Sequence, residues 1–310
     1  MTLGFVGLGA MGLPMMTRIA AAGHEVRAFD CEPARLERAS LIGGMRTAPD
    51  IRSLARECEV VVSCLPSAEA VESVFHSSDG VVASLAPGSL VIECSTVGRK
   101  TALTLARALA ARGADYVEAP LFGTEERAQS GELFLLLGGE ARAIERALTF
   151  VRLVANDWMH FGPAGSANAV KVAQNGLGLV QAAAIAIAIA SIERAGVEPR
   201  RFIEAVIRAK GMAASPLFGW AAPRMIDEKL PEYPAYSHIM LKDMRLALEM
   251  ACEWGVEEGL LEATLDLIAR IQSQRYSADG FQALGRLARG ARHSTDLTGS
   301  DTGTTTRRQT

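Results

Sequence analysis

The sequence predicts an α/β fold: a doubly wound parallel sheet at the N-terminus, followed by an all-helical C-terminal domain. Two patterns carry that prediction. Through the first half, short β-branched runs alternate with amphipathic stretches whose apolar residues recur every three or four positions. From Ala164 onward the strand pattern stops and only helical spacing remains. A chain of 310 residues is long enough for two such domains. Their expected bounds are 1–162 and 163–291, and the Thr/Ser/Gly-rich stretch 292–310 reads as a disordered tail.

Taken in order, Leu3-Gly4-Phe5-Val6 is the first expected strand, with glycines and then a helix to about Ala22. Glu25-Val26-Arg27-Ala28-Phe29 is the second strand, and Ala34–Ala39 the helical stretch after it. Val60-Val61-Val62-Ser63-Cys64 and Leu90-Val91-Ile92-Glu93-Cys94 are two more strands, each bounded by turn residues. Thr101–Ala111 has helical spacing, and Leu133–Leu137 before Gly138-Gly139 reads as a strand of an antiparallel extension. Strand–helix alternation of this kind places parallel strands side by side with helices on both faces. In the second half, helices are expected over the Ala/Ile-rich run Gly176–Ile192, then Pro199–Arg208, Lys242–Trp254 and Gly259–Gln272. Leu241, Met244, Leu248 and Ala251 recur at helical spacing and predict one buried face.

Hydrophobic residues are 49% of the chain and charged residues 22%, which excludes disorder for the bulk of it. The net charge of −3 provides no basic field for a nucleic acid or an anionic membrane, so neither is expected as a partner. Five cysteines without a C-x-x-C, and five histidines without ligand spacing, argue against a disulfide framework and against a metal site. Free thiols and the lack of a leader-like N-terminus predict a cytoplasmic protein. The Gly176–Ile192 run contains Gln181 and is 17 residues long, short of the ~20 of a spanning helix. It reads as a helix buried on most sides, inside one subunit or between two, which predicts a homodimer or homotetramer.

Gly7-Leu8-Gly9-Ala10-Met11-Gly12 lies between the first strand and the first helix, the context in which G-x-G-x-x-G marks a dinucleotide-binding Rossmann turn. Gly7 permits the tight turn, Gly9 lets the backbone approach a pyrophosphate, and Gly12 lets the helix pack on the sheet. The helix N-terminus offers N–H groups to the phosphates. Asp30 ends the second strand, where a carboxylate accepts from ribose hydroxyls and repels a 2′-phosphate. Cys31 follows where an NADP reader more often has arginine, so NAD is expected over NADP, with Arg35 able to soften the preference.

The stretch Gly4 to Met15 resembles the opening signature of the β-hydroxyacid dehydrogenases, the family of 3-hydroxyisobutyrate dehydrogenase and tartronate semialdehyde reductase. The resemblance continues through Cys64-Leu65-Pro66, Glu93-Cys94-Ser95-Thr96, Glu118-Ala119-Pro120, Gly162 to Asn175, and Lys242-Asp243. It implies an NAD(P)-dependent oxidoreductase that moves a hydride between the nicotinamide and the hydroxyl-bearing carbon of a small β-hydroxy acid or semialdehyde, in a cleft between the domains. It further implies that Leu65, Pro66, Thr96 and Lys242 lie by the cofactor and Ser95 by the substrate, and that Lys171 is the catalytic acid/base. Lys171 and Asn175 are four apart, hence on one helix face. Among Val170, Val172 and Ala173 the lysine would be partly desolvated, which lowers its pKa. Asn175 would orient the lysine or the reacting oxygen.

The substrate stretch departs from the family pattern. Phe122 stands where a carboxylate-binding serine is usual, followed by Gly123, with Thr124 in place of a glycine. Those changes predict a bulkier, less polar pocket. Two other readings stay open on this scaffold: an imine or keto-acid reductase, which retention of Lys171 opposes, and a cofactor-binding protein without turnover.

Overall fold

A computed structural model describes residues 2–227, 237–273 and 280–290. The tail over 292–310 lies outside them. The chain opens with β1 (Thr2–Val6), α1 (Gly12–Ala21), β2 (Glu25–Phe29), α2 (Pro33–Ser40), β3 (Met45–Thr47), α3 (Ile51–Glu57) and β4 (Val60–Ser63). Next come α4 (Ala68–His76), α5 (Val81–Ser84), β5 (Leu90–Glu93), α6 (Arg99–Ala111), β6 (Asp115–Glu118), β7 (Leu121–Phe122) and α7 (Glu125–Ser130). The sheet ends with β8 (Leu133–Gly139), α8 (Ala141–Val154) and β9 (Ala155–Gly162). Only helices follow among the described residues: α9 (Ser166–Arg194), α10 (Pro199–Ala209), α11 (Pro216–Ile226), α12 (Ser237–Trp254), α13 (Gly259–Ser273) and α14 (Gly280–Arg289).

The strands order as β3-β2-β1-β4-β5-β6-β8-β7, with β9 on the free edge of β8. From β3 to β6 every pairing is parallel. The expected extension is present, because β8 runs antiparallel to β6 and β7. It also pairs in parallel with β9. That last strand escapes a reading based on propensity: Ala155–Gly162 has no β-branched residue, and as an edge strand it needs only one satisfied side. Strands β3, β6 and β7 and helices α11 and α14 also lie outside the sequence expectation, and Pro223 within α11 is a poor helix signal.

Alternation along the central strands fills two cores. Leu3, Phe5, Val60, Val62, Leu90 and Ile92 face α1 and α8. Val6, Val61 and Val91 face the layer of α3 to α6. A fully buried Phe5 or Ile92 stabilises the fold by roughly 1.5–3 kcal/mol. The strand order reverses direction between β1 and β4, so a crevice opens beyond the C-terminal ends of those strands.

The chain divides into two compact units, Met1–Val180 with His238–Asp266, and Gln181–Ser237 with Leu267–Thr310. The first therefore takes in the start of α9 and most of α12, together with the sheet. On α12 the expected face is buried at Leu241, Met244 and Ala251, while Leu248 is only half-buried. Helix α9 is long and apolar enough to cross a membrane by length and composition, and 44% of its most apolar window is buried within the chain. The expectation of burial on most sides is thus not met inside one chain: Leu177 and Ile187 lie more than half exposed.

Candidate active site

The glycine loop is built as its spacing requires. Gly7 sits at φ 95°, where a side chain is strained, and a Cβ there would strike the Cys64 carbonyl oxygen. A Cβ at Gly12 would collide with the Gly7 carbonyl, so α1 packs this close to the loop only with glycine. At Gly9 a Cβ would meet no atom within 4 Å; the space before it is open to a ligand. Met11, at the N-cap of α1, supplies no side-chain cap to the first helical N–H groups. A cleft of about 250 Å³ runs along Leu8, Gly9, Ala10, Leu13 and Pro14 to Arg35, Arg38 and Glu125. Open backbone, uncapped N–H groups and two guanidinium groups are a donor set that fits a dinucleotide diphosphate.

Asp30 does more than the sequence reading assigned to it. Only 5% exposed, its Oδ2 accepts from the Leu8 N–H at 2.7 Å and pairs with Arg35 Nη1 at 3.3 Å, while Oδ1 accepts from the Glu32 N–H at 2.8 Å. The carboxylate braces the glycine loop against β2. Its charge, beside the cleft residues Leu8 and Arg35, is partly compensated by Arg35.

Beyond β4 and β5 a second pair of turns is tied together. Ser95 is 2% exposed; its Oγ accepts from the Leu65 N–H at 2.7 Å, and its own N–H donates to Glu93 Oε1 at 2.9 Å. The structure thus commits the Ser95 hydroxyl oxygen to holding the Leu65–Pro66 turn. Burial pushes the Glu93 carboxyl up to about 7, against its bonds from Ser95 and Ser63. The Thr96 carbonyl accepts from Lys242 Nζ at 3.0 Å, and Lys242 pairs with Asp243 Oδ1 at 3.0 Å. Asp243 Oδ2 in turn accepts from Asn175 Nδ2 at 2.8 Å. Asp243, beside Lys242 in the sequence, carries no local signal of this role, because its partner Asn175 is 68 residues away. An ionised carboxylate only accepts, so Asn175 must turn its NH₂ end to Asp243.

Lys171 lies one turn before Asn175 on α9. Burial lowers its pKa from 10.5 to about 8; Asp243 opposes that shift and Lys242 adds to it. The Nζ stands 4.8 Å from the centre of the Phe122 ring, which stacks on its cross-strand partner Phe134 with centroids 6.1 Å apart. Phe122 is thus a wall beside the lysine, fixed by the β7–β8 pairing. Gly123 takes φ 148°, and Thr124 caps α7 by accepting from the Arg127 N–H at 3.3 Å. Of the residues expected at the site, Thr96, Phe122, Lys171, Asn175 and Lys242 come together, and Thr124 and Ser95 are engaged in local structure. All lie in the first compact unit, on the side of the sheet where the parallel strands β1, β4 and β5 end, as the glycine loop does.

Residues 2–162 match the NAD-binding domain of 6-phosphogluconate dehydrogenase, and residues 165–288 match the NAD-binding domain of NADP-dependent 3-hydroxyisobutyrate dehydrogenase. The chain is 30% identical to an NAD-dependent L-serine dehydrogenase of Pseudomonas aeruginosa over 292 residues, 92% of this chain and 97% of that one. Among solved structures it is similar to Mycobacterium tuberculosis 3-hydroxyisobutyrate dehydrogenase with L-serine, at a TM-score of 0.83 and 26% identity over 93% of this chain and 99% of that chain. An imine reductase of Myxococcus stipitatus with NADP+ shares the fold at a TM-score of 0.60 and 17% identity, over 92% and 98% of the two chains.

Proposed function

The chain belongs to the β-hydroxyacid dehydrogenase family, and from that premise we propose that it is an NAD-preferring dehydrogenase of a β-hydroxy acid bulkier or more apolar than serine or 3-hydroxyisobutyrate. The observation that carries this reading is the half-buried Lys171, its pKa near 8, walled by the Phe122 ring. Bound NAD(P) supplies the hydride acceptor or donor. Gly7, Leu8, Gly9, Ala10, Met11 and Gly12 would hold its diphosphate, Asp30 the ribose, and Leu65, Pro66, Thr96 and Lys242 the nicotinamide side. Lys171 Nζ, neutral, takes the proton of the substrate hydroxyl; protonated, it returns that proton to the carbonyl oxygen in the reverse direction. Asn175, anchored by Asp243, orients the reacting oxygen. Phe122, Gly123 and Thr124 shape the substrate pocket, and Ser95 supports it through Leu65.

Asp30 favours NAD by repelling a 2′-phosphate, against Arg35 and Arg38, which would attract one. The functional division is 1–162, which holds the dinucleotide and lends the Phe122–Thr124 wall, and 163–291. The latter carries Lys171 and Asn175 for the substrate and the surface for self-association, with Lys242 reaching back to the cofactor. A homodimer or homotetramer is supported by the exposed Leu177 and Ile187 of α9, and a cytoplasmic location by the five free thiols. Turnover of a hydroxy-acid panel with NAD and with NADP, followed by nicotinamide absorbance, tests the reading. Activity on no hydroxy acid but on cyclic imines would replace it with the imine reductase alternative. Cofactor binding without turnover of any substrate would leave the non-catalytic reading.

A further inference from the structure

The strand–helix junction beneath Lys171 contains a buried polar relay that the chemistry above does not use. Glu118, at the end of β6, is fully buried. Its Oε1 accepts from the Ala167 N–H at 2.8 Å and its Oε2 from Asn168 Nδ2 at 2.8 Å. Asn168, also fully buried, accepts from the Val97 N–H through its Oδ1 at 3.1 Å. Gly138 on β8 leaves the room this requires, since a Cβ there would collide with Glu118 Oε1. Three segments therefore meet at two side chains: the end of β6, the first turn of α9, and the loop after Thr96. Lys171 is the next turn of that helix, and Thr96 is the residue before Val97.

We propose that Glu118, acting through Asn168, is a positioning residue: it fixes the first turn of α9, and with it Lys171, against the Thr96–Val97 loop. This rests on the dehydrogenase reading for its kinetic test. The direction of every bond in the relay is set from its two ends. Val97 and Ala167 present peptide N–H groups, which only donate, so Asn168 must turn its oxygen to Val97 and its NH₂ to Glu118. Residue 118 then meets donors on both sides and needs two acceptors, which a carboxylate has and an amide has not. The N–H groups of Gly165 and Asn168 also favour the charged form. Burial outweighs them and raises its pKa, and the charge of Glu93, its in-register partner on β5, works in the same direction. Tyr116, two residues back on the same strand, stays neutral because burial pushes its phenol up.

That polarity gives a test with a sign of its own. Glu118→Gln leaves a donor facing a donor however the two amides turn, and Asn168→Asp sets two carboxylates against each other. Combined, the two substitutions restore donor to acceptor at all three links, with the charge moved one residue along the relay. Each single variant is expected to lower kcat about tenfold or more, as a displaced catalytic group does, with KM for the cofactor nearly unchanged. The double variant is expected to return to within about threefold of wild type, a coupling that independent sites would not give. Glu118→Asp, which keeps both acceptors on a shorter stem, should fold and still lose kcat, and so stands in if the singles do not fold.

A second readout needs neither cofactor nor substrate: the pH dependence of acylation of Lys171, followed by peptide mass spectrometry. The charged groups that set its pKa, Asp243 and Lys242 on α12, and the Phe122 ring on β7 are the same in every variant. The midpoint should lie near 8 in wild type, rise toward the ordinary lysine value in either single variant as the amine regains water, and fall back in the double. Single variants with wild-type kcat and midpoint, or a folded double variant no better than the worse single, would overturn the proposal. If wild type oxidises no hydroxy acid, the functional reading fails, and the acylation midpoints still decide the relay.

Discussion

The glycine loop and the lysine site lie on the side where the parallel strands of one sheet end, and they are made in opposite ways. Between Gly7 and Gly12 six consecutive residues do nearly all the work, with one carboxylate, Asp30, bracing them from β2. Around Lys171 the parts come from β7, α9, α12 and the loop after β5, and no two of the elements that meet there are adjacent in sequence. A site written in consecutive backbone tolerates change around it and fails at single glycines. A site assembled from distant elements fails wherever one of them shifts.

The largest effect should come from the assembled site. Lys171→Ala is expected to lower the turnover rate by ~10²–10⁴ with cofactor affinity nearly unchanged, because the lysine meets the reacting oxygen and not the phosphates. Isothermal titration with NAD beside steady-state kinetics separates the two; a variant with more than half the wild-type rate would remove Lys171 from the chemistry.

Next in size is the wall beside it. Phe122→Ser with Thr124→Gly should raise kcat/KM for serine, glycerate and 3-hydroxyisobutyrate by roughly ten- to a hundredfold, the worth of one hydrogen bond to a charged group. The Thr124 change should cost only a few tenths of a kcal/mol, since glycine is a tolerated N-cap. Should wild type already hold 3-hydroxyisobutyrate in the micromolar range, Phe122 is packing and the bulky-substrate reading is lost.

The pH profile measures the same lysine without a mutation. Neutral Lys171 is the base for oxidation, so that rate should fall about tenfold per pH unit below a midpoint near 8. The reductive rate, which needs the protonated form, should fall above that midpoint instead. Profiles of the two directions that bend the same way would contradict the assignment.

The smallest effects sharpen the other half of the comparison. Gly12→Ala forces a Cβ into the Gly7 carbonyl and should destabilise the protein by ~1–3 kcal/mol. Gly9→Ala meets nothing in the free protein, so its melting temperature should hold while cofactor affinity drops about tenfold. Thermal melts with and without NAD distinguish them; equal destabilisation by both would mean that the loop is packed and not open.

By itself the sequence determined five strands of the sheet (β1, β2, β4, β5 and β8), the glycine loop, Asp30 and the spacing of the Lys171–Asn175 pair. The strands and the loop depend on short-range geometry, two-residue alternation in β1, β4 and β5 and fixed glycine spacing in one turn. Helical spacing puts Lys171 and Asn175 on one face, and the family resemblance is what singles them out. Tertiary structure alone decided what those groups face. Strand β9 forms because β8 offers it an edge, although Ala155–Gly162 has little strand character of its own. Ser95 turns its hydroxyl oxygen to Leu65 because the ends of β4 and β5 lie side by side. Asp243 reaches Asn175, and Glu118 reaches Asn168, across 68 and 50 residues of sequence. Contacts at that separation leave no period in the chain to read; they follow from which elements pack together, and burial then sets the strength of every charge among them.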